Sequence, residues 1–208
     1  MPETLDPLGS TLGVAAGGDD RGGRRSLPLG VTASLVGGYR WIEQRLFELL
    51  GGWSAGAVEP ELRVHLDAQS VRHAWHASLW ADRLPVRDGV SADSLTVAPQ
   101  GAAPVFRALD EAGPETAPLV AGLYRVVLPR LVTGYSRHLQ AALPVSDGPV
   151  IRALRLVLTD EIEDWHAGER LVQELLARPG DVPPVSAMQQ RLESIVAGTG
   201  EGLTGWPV

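Results

Sequence analysis

The chain contains no cysteine and no lysine. Without cysteine there is no disulfide, no thiolate metal ligand and no thiol nucleophile, and the redox compartment is left unmarked. Without lysine there is no Schiff base, so pyridoxal-phosphate and lysine-aldolase chemistry are excluded. A Walker-type phosphate loop is excluded for the same reason. All 18 basic residues are arginines, a bias of the kind genome composition produces. No apolar run approaches the roughly 18 residues of a membrane span. The N-terminus lacks a charged-then-apolar leader pattern, so a cytoplasmic protein is expected. A net charge of -7 and a pI near 5.2 argue against nucleic acid or an anionic membrane as partner, since both call for a basic field. One absence is local: from Thr116 through Ser146 there is no aspartate or glutamate.

What is present is helical. At 208 residues and 44% hydrophobic content, one domain with a substantial core is expected. Residues 1–27, with GGDDRGG and little periodicity, read as a tail. The bundle is expected over 28–180, and a short helix (Val185 to Val196) with a second tail over 181–208. Gly30 to Gly51 carries an apolar stripe through Leu35, Tyr39, Ile42, Leu46 and Leu49, with Glu43 at its edge and Gly51-Gly52 as the expected stop. Pro60 opens a second helix that Pro85 closes, and its stripe includes Gln69, His73, His76 and Trp80. Pro85 to Pro118 has one short helical pattern, Val105 to Glu111, and is long enough to cross the structure. Leu119 to Ala142 forms a third helix with Val120, Tyr124, Val127, Leu131, Gly134 and His138 inward and a kink at Pro129. After a tight turn at Pro144 to Pro149, the fourth helix runs from Val150 to Leu176. Two antiparallel hairpins joined by one long crossover is the topology of a ferritin-like four-helix bundle, and the fold class is all-α.

Inward acids and imidazoles mark the candidate site. The fourth helix offers two ligand pairs. Glu163 and His166 match Glu-x-x-His literally but lie on the more polar face, whereas Glu161 and Asp164 lie on the apolar stripe and are preferred. The second helix offers His73 and His76, one turn apart. Mirroring about the turn near Gly56 puts Gln69 level with Glu43, and mirroring near Val145 puts Arg130 roughly opposite Glu161. The ligand set expected from faces is therefore Glu43, His73, His76, Glu161 and Asp164, with Tyr124 and His138 nearby. Two imidazoles and carboxylates suit one Fe, Mn or Zn ion better than two ions.

GGYRWIEQRLFELLGGW, QSVRHAWHASLW and DEIEDWHAGE resemble the ferritin-like superfamily, and within it bacterial proteins described only as ferritin-like. The resemblance spans about Gly30 to Leu176 and implies a metal role for Glu43, His76 and Glu161. The chain departs from the family pattern at His73, where the family has Glu, at Asp164, where the family has His, and along the whole third helix.

Two functions follow as expectations. One is a metal-dependent oxidoreductase or oxygenase, with Fe or Mn, acting on a small molecule inside the bundle. The other is a metal-free scaffold or small-molecule binder in which Arg130 and the histidines neutralise the acids as a buried ion-pair cluster. No Gly-x-Ser-x-Gly elbow is present, and Ser70 and Ser78 beside the histidines read as coincidence. Trp41, Trp53, Trp75, Trp80 and Trp165 read as packing residues, some of them candidates for a homodimer face.

Overall fold

The computed structural model describes residues 26–85, 88–113, 115–177 and 179–206. The expected tail at 1–27 lies almost wholly outside the described residues. Every regular element described is helical.

Helix α1 (Leu29–Gly56) runs past Gly51 and Gly52. Glycine inside a helix costs only about 1 kcal/mol against alanine. At this point, the Ser70 hydroxyl donates to the Phe47 carbonyl at 2.8 Å and packs where a Cβ on Gly51 would approach it to 3.2 Å. Helix α2 (Pro60–Ala81) starts with proline in its first turn, where the missing N–H has no intrahelical partner to lose. The crossover carries α3 (Ala92–Leu95) and α4 (Ala103–Asp110). Gly37 admits α3 to the flank of α1: a Cβ there would lie 1.9 Å from the Leu95 carbonyl oxygen. Arg40 then ties α3 down through Thr96 Oγ1 at 2.8 Å and Asp93 at 2.8 Å.

The third long helical stretch is built from α5 (Thr116–Gly122), a π-helical turn (Leu123–Val127) and α6 (Leu128–Ala141). The expected interruption at Pro129 takes the form of this wider turn. Proline has no N–H for the carbonyl one turn back and its ring clashes with it, and i→i+5 bonding takes up the mismatch. The chain reverses at Ala142 and Leu143, so the expected Pro144–Pro149 turn is instead the first part of α7 (Pro144–Leu175). That part is irregular: Asp147 leaves helical geometry (φ -113, ψ 17), two residues before Pro149. Its carboxylate accepts the Leu143 N–H at 2.8 Å. Helix α8 (Val182–Gly198) packs Val185, Met188, Leu192 and Val196 onto α5 and α4, so the C-terminal segment belongs to the same core.

Side-chain pairings give the helix directions. Glu43 meets His73 and Phe47 meets Ser70, so α1 and α2 are antiparallel. Arg72 meets Asp164 and His76 meets Asp160, so α2 and α7 are antiparallel. Glu43 meets Tyr135 and Tyr39 meets His138, so α1 and α6 are antiparallel. The order is up, down, down, up, with the crossover linking two parallel helices.

Gly37→Ala should lower stability by about 1–3 kcal/mol, because backbone rather than a flexible side chain meets the new methyl. Urea denaturation of the two proteins measures this, and an unchanged midpoint contradicts the close packing of α3 on α1.

Candidate metal centre

Glu43 from α1, His73 and His76 from α2, and Glu161 from α7 converge in the core. One ligand atom from each lies within 4.8 Å of the others, and all four residues have 0% exposure. The His73 Nδ1 to Glu43 Oε2 distance is 2.6 Å and the His73 Nδ1 to Glu161 Oε1 distance 3.3 Å. His76 Nδ1 lies 3.5 Å from Glu43 Oε2 and 3.2 Å from Glu161 Oε1. Both imidazoles therefore face both carboxylates with the same ring nitrogen.

The electrostatics are those of mutual compensation. Burial disfavours charge on every member. For Glu43 the imidazoles of His76 and His73 outweigh burial and hold the carboxyl well below its usual range. For His73 the carboxylates of Glu161 and Glu43 outweigh burial and raise its pKa. For His76 they do the same, Glu43 foremost, and push it up to about 11. With both histidines protonated the quartet is neutral, and with both neutral and one divalent cation added it is neutral again.

The donor set fits a metal ion on two observations. First, both Glu161 oxygens and His76 Nδ1 are buried without a hydrogen-bond partner. Buried polar atoms are rarely left so; Glu161 Oε1 has only the imidazole nitrogens at 3.2 and 3.3 Å beside it, and Oε2 has no hydrogen-bond partner, an arrangement a cation between them would satisfy. Second, ligand atoms about 2.1 Å from one ion stand about 3.0 Å apart at cis octahedral positions and about 3.4 Å apart in a tetrahedron. Three of the four N···O separations, 3.2, 3.3 and 3.5 Å, fall in or next to that interval. The fourth is contracted to a hydrogen bond.

Neighbouring groups orient the set. The Tyr135 hydroxyl donates to Glu43 Oε1, and His76 Nε2 lies 3.0 Å from Asp160 Oδ2. A carboxylate on the far nitrogen of a ligating imidazole fixes its tautomer and raises its basicity.

Four of the five expected ligands thus meet. The fifth, Asp164, is buried but stands outside the quartet, with Oδ1 held by Arg72 at 2.7 Å. Burial, which outweighs the arginine, pushes its pKa up to about 6. Glu163 and His166 are exposed, so the literal Glu-x-x-His pair points to solvent and the Glu161 register faces the core. Arg130 does not reach the acids. It pairs with Glu193 on α8 and donates to the Val126 carbonyl at 3.0 Å. Mirroring estimated its level along the helix but carries no information about which way it points. Gln69 is not level with Glu43, because α1 extends to Gly56 and the mirror point moves toward Val58. Gln69 instead accepts from the Tyr124 hydroxyl at 2.6 Å, and Tyr124 packs where Gly168 leaves room, with a Cβ there falling 2.0 Å from the ring. His138 lies 3.1 Å from the Tyr39 hydroxyl rather than against the quartet.

Sequence reading missed Tyr135, Asp160 and Arg72. Tyr135 reaches Glu43 and Gly134 faces Thr204. The available signal was spacing, since Tyr135 lies about three helical turns beyond Tyr124. Nothing in the pattern marked Asp160 or Arg72, which lie at the solvent edge.

The protein-family models, the curated proteins and the solved structures with which the chain was compared gave no match.

His138 sets an expected acid sensitivity. Burial pushes its pKa down to about 4, against 6.5 for the free side chain. The unfolded chain then binds more protons between those values, so the neutral form's stability is full above about pH 6.5 and is lost as pH falls toward 4. The stability advantage of wild type over His138→Gln should shrink by about 2–3 kcal/mol between pH 7 and 4. Parallel denaturant titrations at both pH values read this directly, and a constant difference contradicts it.

Proposed function

We propose that this chain is a ferritin-like bundle holding one transition-metal ion, Fe or Mn, and acting as a metal-dependent oxidoreductase toward a small molecule. The observation that carries the reading is the convergence of His73 Nδ1, His76 Nδ1, Glu43 and a Glu161 carboxylate whose Oε2 has no hydrogen-bond partner, at metal-ligand spacing. The up, down, down, up helix order and the four-helix origin of the surrounding side chains support the ferritin-like assignment. Two imidazoles with two carboxylates suit Fe, Mn or Zn, and fewer than six protein ligands leave coordination positions for substrate or oxidant. Bound there, such an ion supplies Lewis acidity and, for Fe or Mn, a one-electron couple.

The chain's own residues define the rest. Tyr135 fixes one Glu43 oxygen and leaves the other to the site. Asp160 holds the far side of His76, and Arg72 neutralises Asp164 beside the quartet. Total burial excludes bulk water from the four ligands.

A second reading has its own support in the 2.6 Å contact between His73 and Glu43. In it the quartet is a metal-free buried ion-pair cluster that specifies packing, and the protein is a scaffold or small-molecule binder. Arg130 takes no part in this version.

Anaerobic reconstitution with Fe(II) or Mn(II), followed by elemental analysis after desalting, separates the two. The metal reading expects close to stoichiometric metal in wild type and in Arg130→Met, and loss of it in Glu161→Ala and His76→Ala. Tyr135→Phe should retain the site but weaken metal affinity by about 10-fold or more, as loss of a ligand-orienting hydrogen bond does. Absence of stoichiometric metal in reconstituted wild type overturns the metal reading and leaves the ion-pair cluster.

A further inference from the structure

Beside the quartet, the gap between α2 and α7 holds further buried polar groups. Arg72 pairs with Asp164 and His76 with Asp160 across these antiparallel helices, which sets their relative levels. At those levels Gln69, about one turn before Arg72 on α2, stands opposite Gly168, one turn after Asp164 on α7. Tyr124 enters the gap at the same height. Its ring occupies the space left at Gly168, and its hydroxyl lies 2.6 Å from Gln69 Oε1. The Gln69 amide is thus held between the Tyr124 hydroxyl and the layer that carries the Arg72–Asp164 pair.

Two atoms in this gap have opposite needs. Gln69 is 1% exposed and Asp164 4%. Burial first, and then the carboxylates of Asp164 and Glu161, push the Tyr124 pKa well above its usual value. The hydroxyl therefore keeps its proton and donates it to Gln69 Oε1. That leaves Gln69 Nε2 turned away from Tyr124, as a donor with no hydrogen-bond partner among the described residues. Asp164 Oδ1 accepts an Arg72 N–H at 2.7 Å, while Oδ2 is an acceptor with no such partner. Buried polar atoms are rarely left unpaired.

A ligand that meets both atoms has to accept from an amide and donate to a carboxylate. An anion has no proton for Asp164, and an ammonium or metal cation has no lone pair for the amide. Arg72 already balances the Asp164 charge, which leaves little net field to draw an ion. Water offers both functions and has a second proton for the free lone pair of the Tyr124 oxygen. A buried water is held by two to four such partners.

We propose that one internal water molecule is bound between Gln69 Nε2 and Asp164 Oδ2, joining α2 to α7 in the layer next to the quartet. Tyr124 turns the amide, and the amide holds the water. The site uses none of the four converging ligands, so it stands whether or not the quartet binds an ion.

The test uses the full chain free of metal. A high-resolution crystal structure of wild type is expected to show an ordered water about 3 Å from both atoms. In solution, oxygen-17 relaxation dispersion counts long-lived internal waters and ignores exchanging hydroxyl protons. Its amplitude should fall by one water in Gln69→Met, which keeps the side-chain length but has no N–H. It should not fall in Tyr124→Phe, which keeps the ring against Gly168. Electron density that shows the Gln69 amide bonded directly to Asp164, or no water between them, overturns the proposal in wild type alone. An equal dispersion amplitude in wild type and Gln69→Met overturns it as well. Metal content is measured separately, so this site and the metal reading fail independently.

Discussion

Two buried carboxylates facing two buried imidazoles set the terms for the rest of this structure. Isolated ions of this kind cost several kcal/mol each to bury. Gathered at one point, they cancel, and the cancellation holds only while three helices keep their levels: α1 for Glu43, α2 for the histidines, α7 for Glu161. The close helix approaches serve that alignment. The Ser70 hydroxyl reaches the α1 backbone beside Gly51, and Tyr124 inserts against Gly168. Charge compensation and close packing are here one constraint.

Around the quartet, the polar groups divide into two sides. Toward α7 lie Asp160, Asp164 and Arg72, with Asp160 and Arg72 within reach of solvent and Asp164 buried behind Arg72. Toward α6 lie Tyr135, Tyr39, Trp80 and Trp206, apolar rings each with one polar atom. The first side handles charge and the second is built of groups that release an electron more easily than aliphatic carbon. Glu43 belongs to both, with one oxygen on each.

Most of the helical scaffold was legible in the sequence, because 3.6-residue periodicity reports which face is buried whatever the partner. It correctly chose Glu161 over Glu163 and His73 with His76 as the inward pair. Helix ends were less legible. Gly51-Gly52 looked like a stop, yet the flanking helix overrode a penalty of about 1 kcal/mol per glycine. That error moved the mirror point of the first hairpin and put Gln69, not His73, beside Glu43. Direction around a helix was illegible for Arg130, whose level gave no hint of its bond to Glu193. Tyr135 was passed over for a different reason: it lies about three full turns beyond Tyr124, on the same face, but the inward stripe was traced through its neighbour Gly134.

That break has a consequence for how the site is composed. Each residue turns an α-helix by about 100°, and the π turn at Leu123–Val127 lets α5 and α6 keep separate phases. Tyr124, inside the turn, meets Gln69 on α2, and Tyr135, past it, meets Glu43 on α1. Removing one residue from the turn would leave the α5 side chains in place and rotate the whole α6 face, Tyr135 and His138 together, away from α1. The set of groups offered to the carboxylates is therefore governed by insertion and deletion as well as by substitution, and a helix that tolerates both can be refitted around an unchanged ligand set.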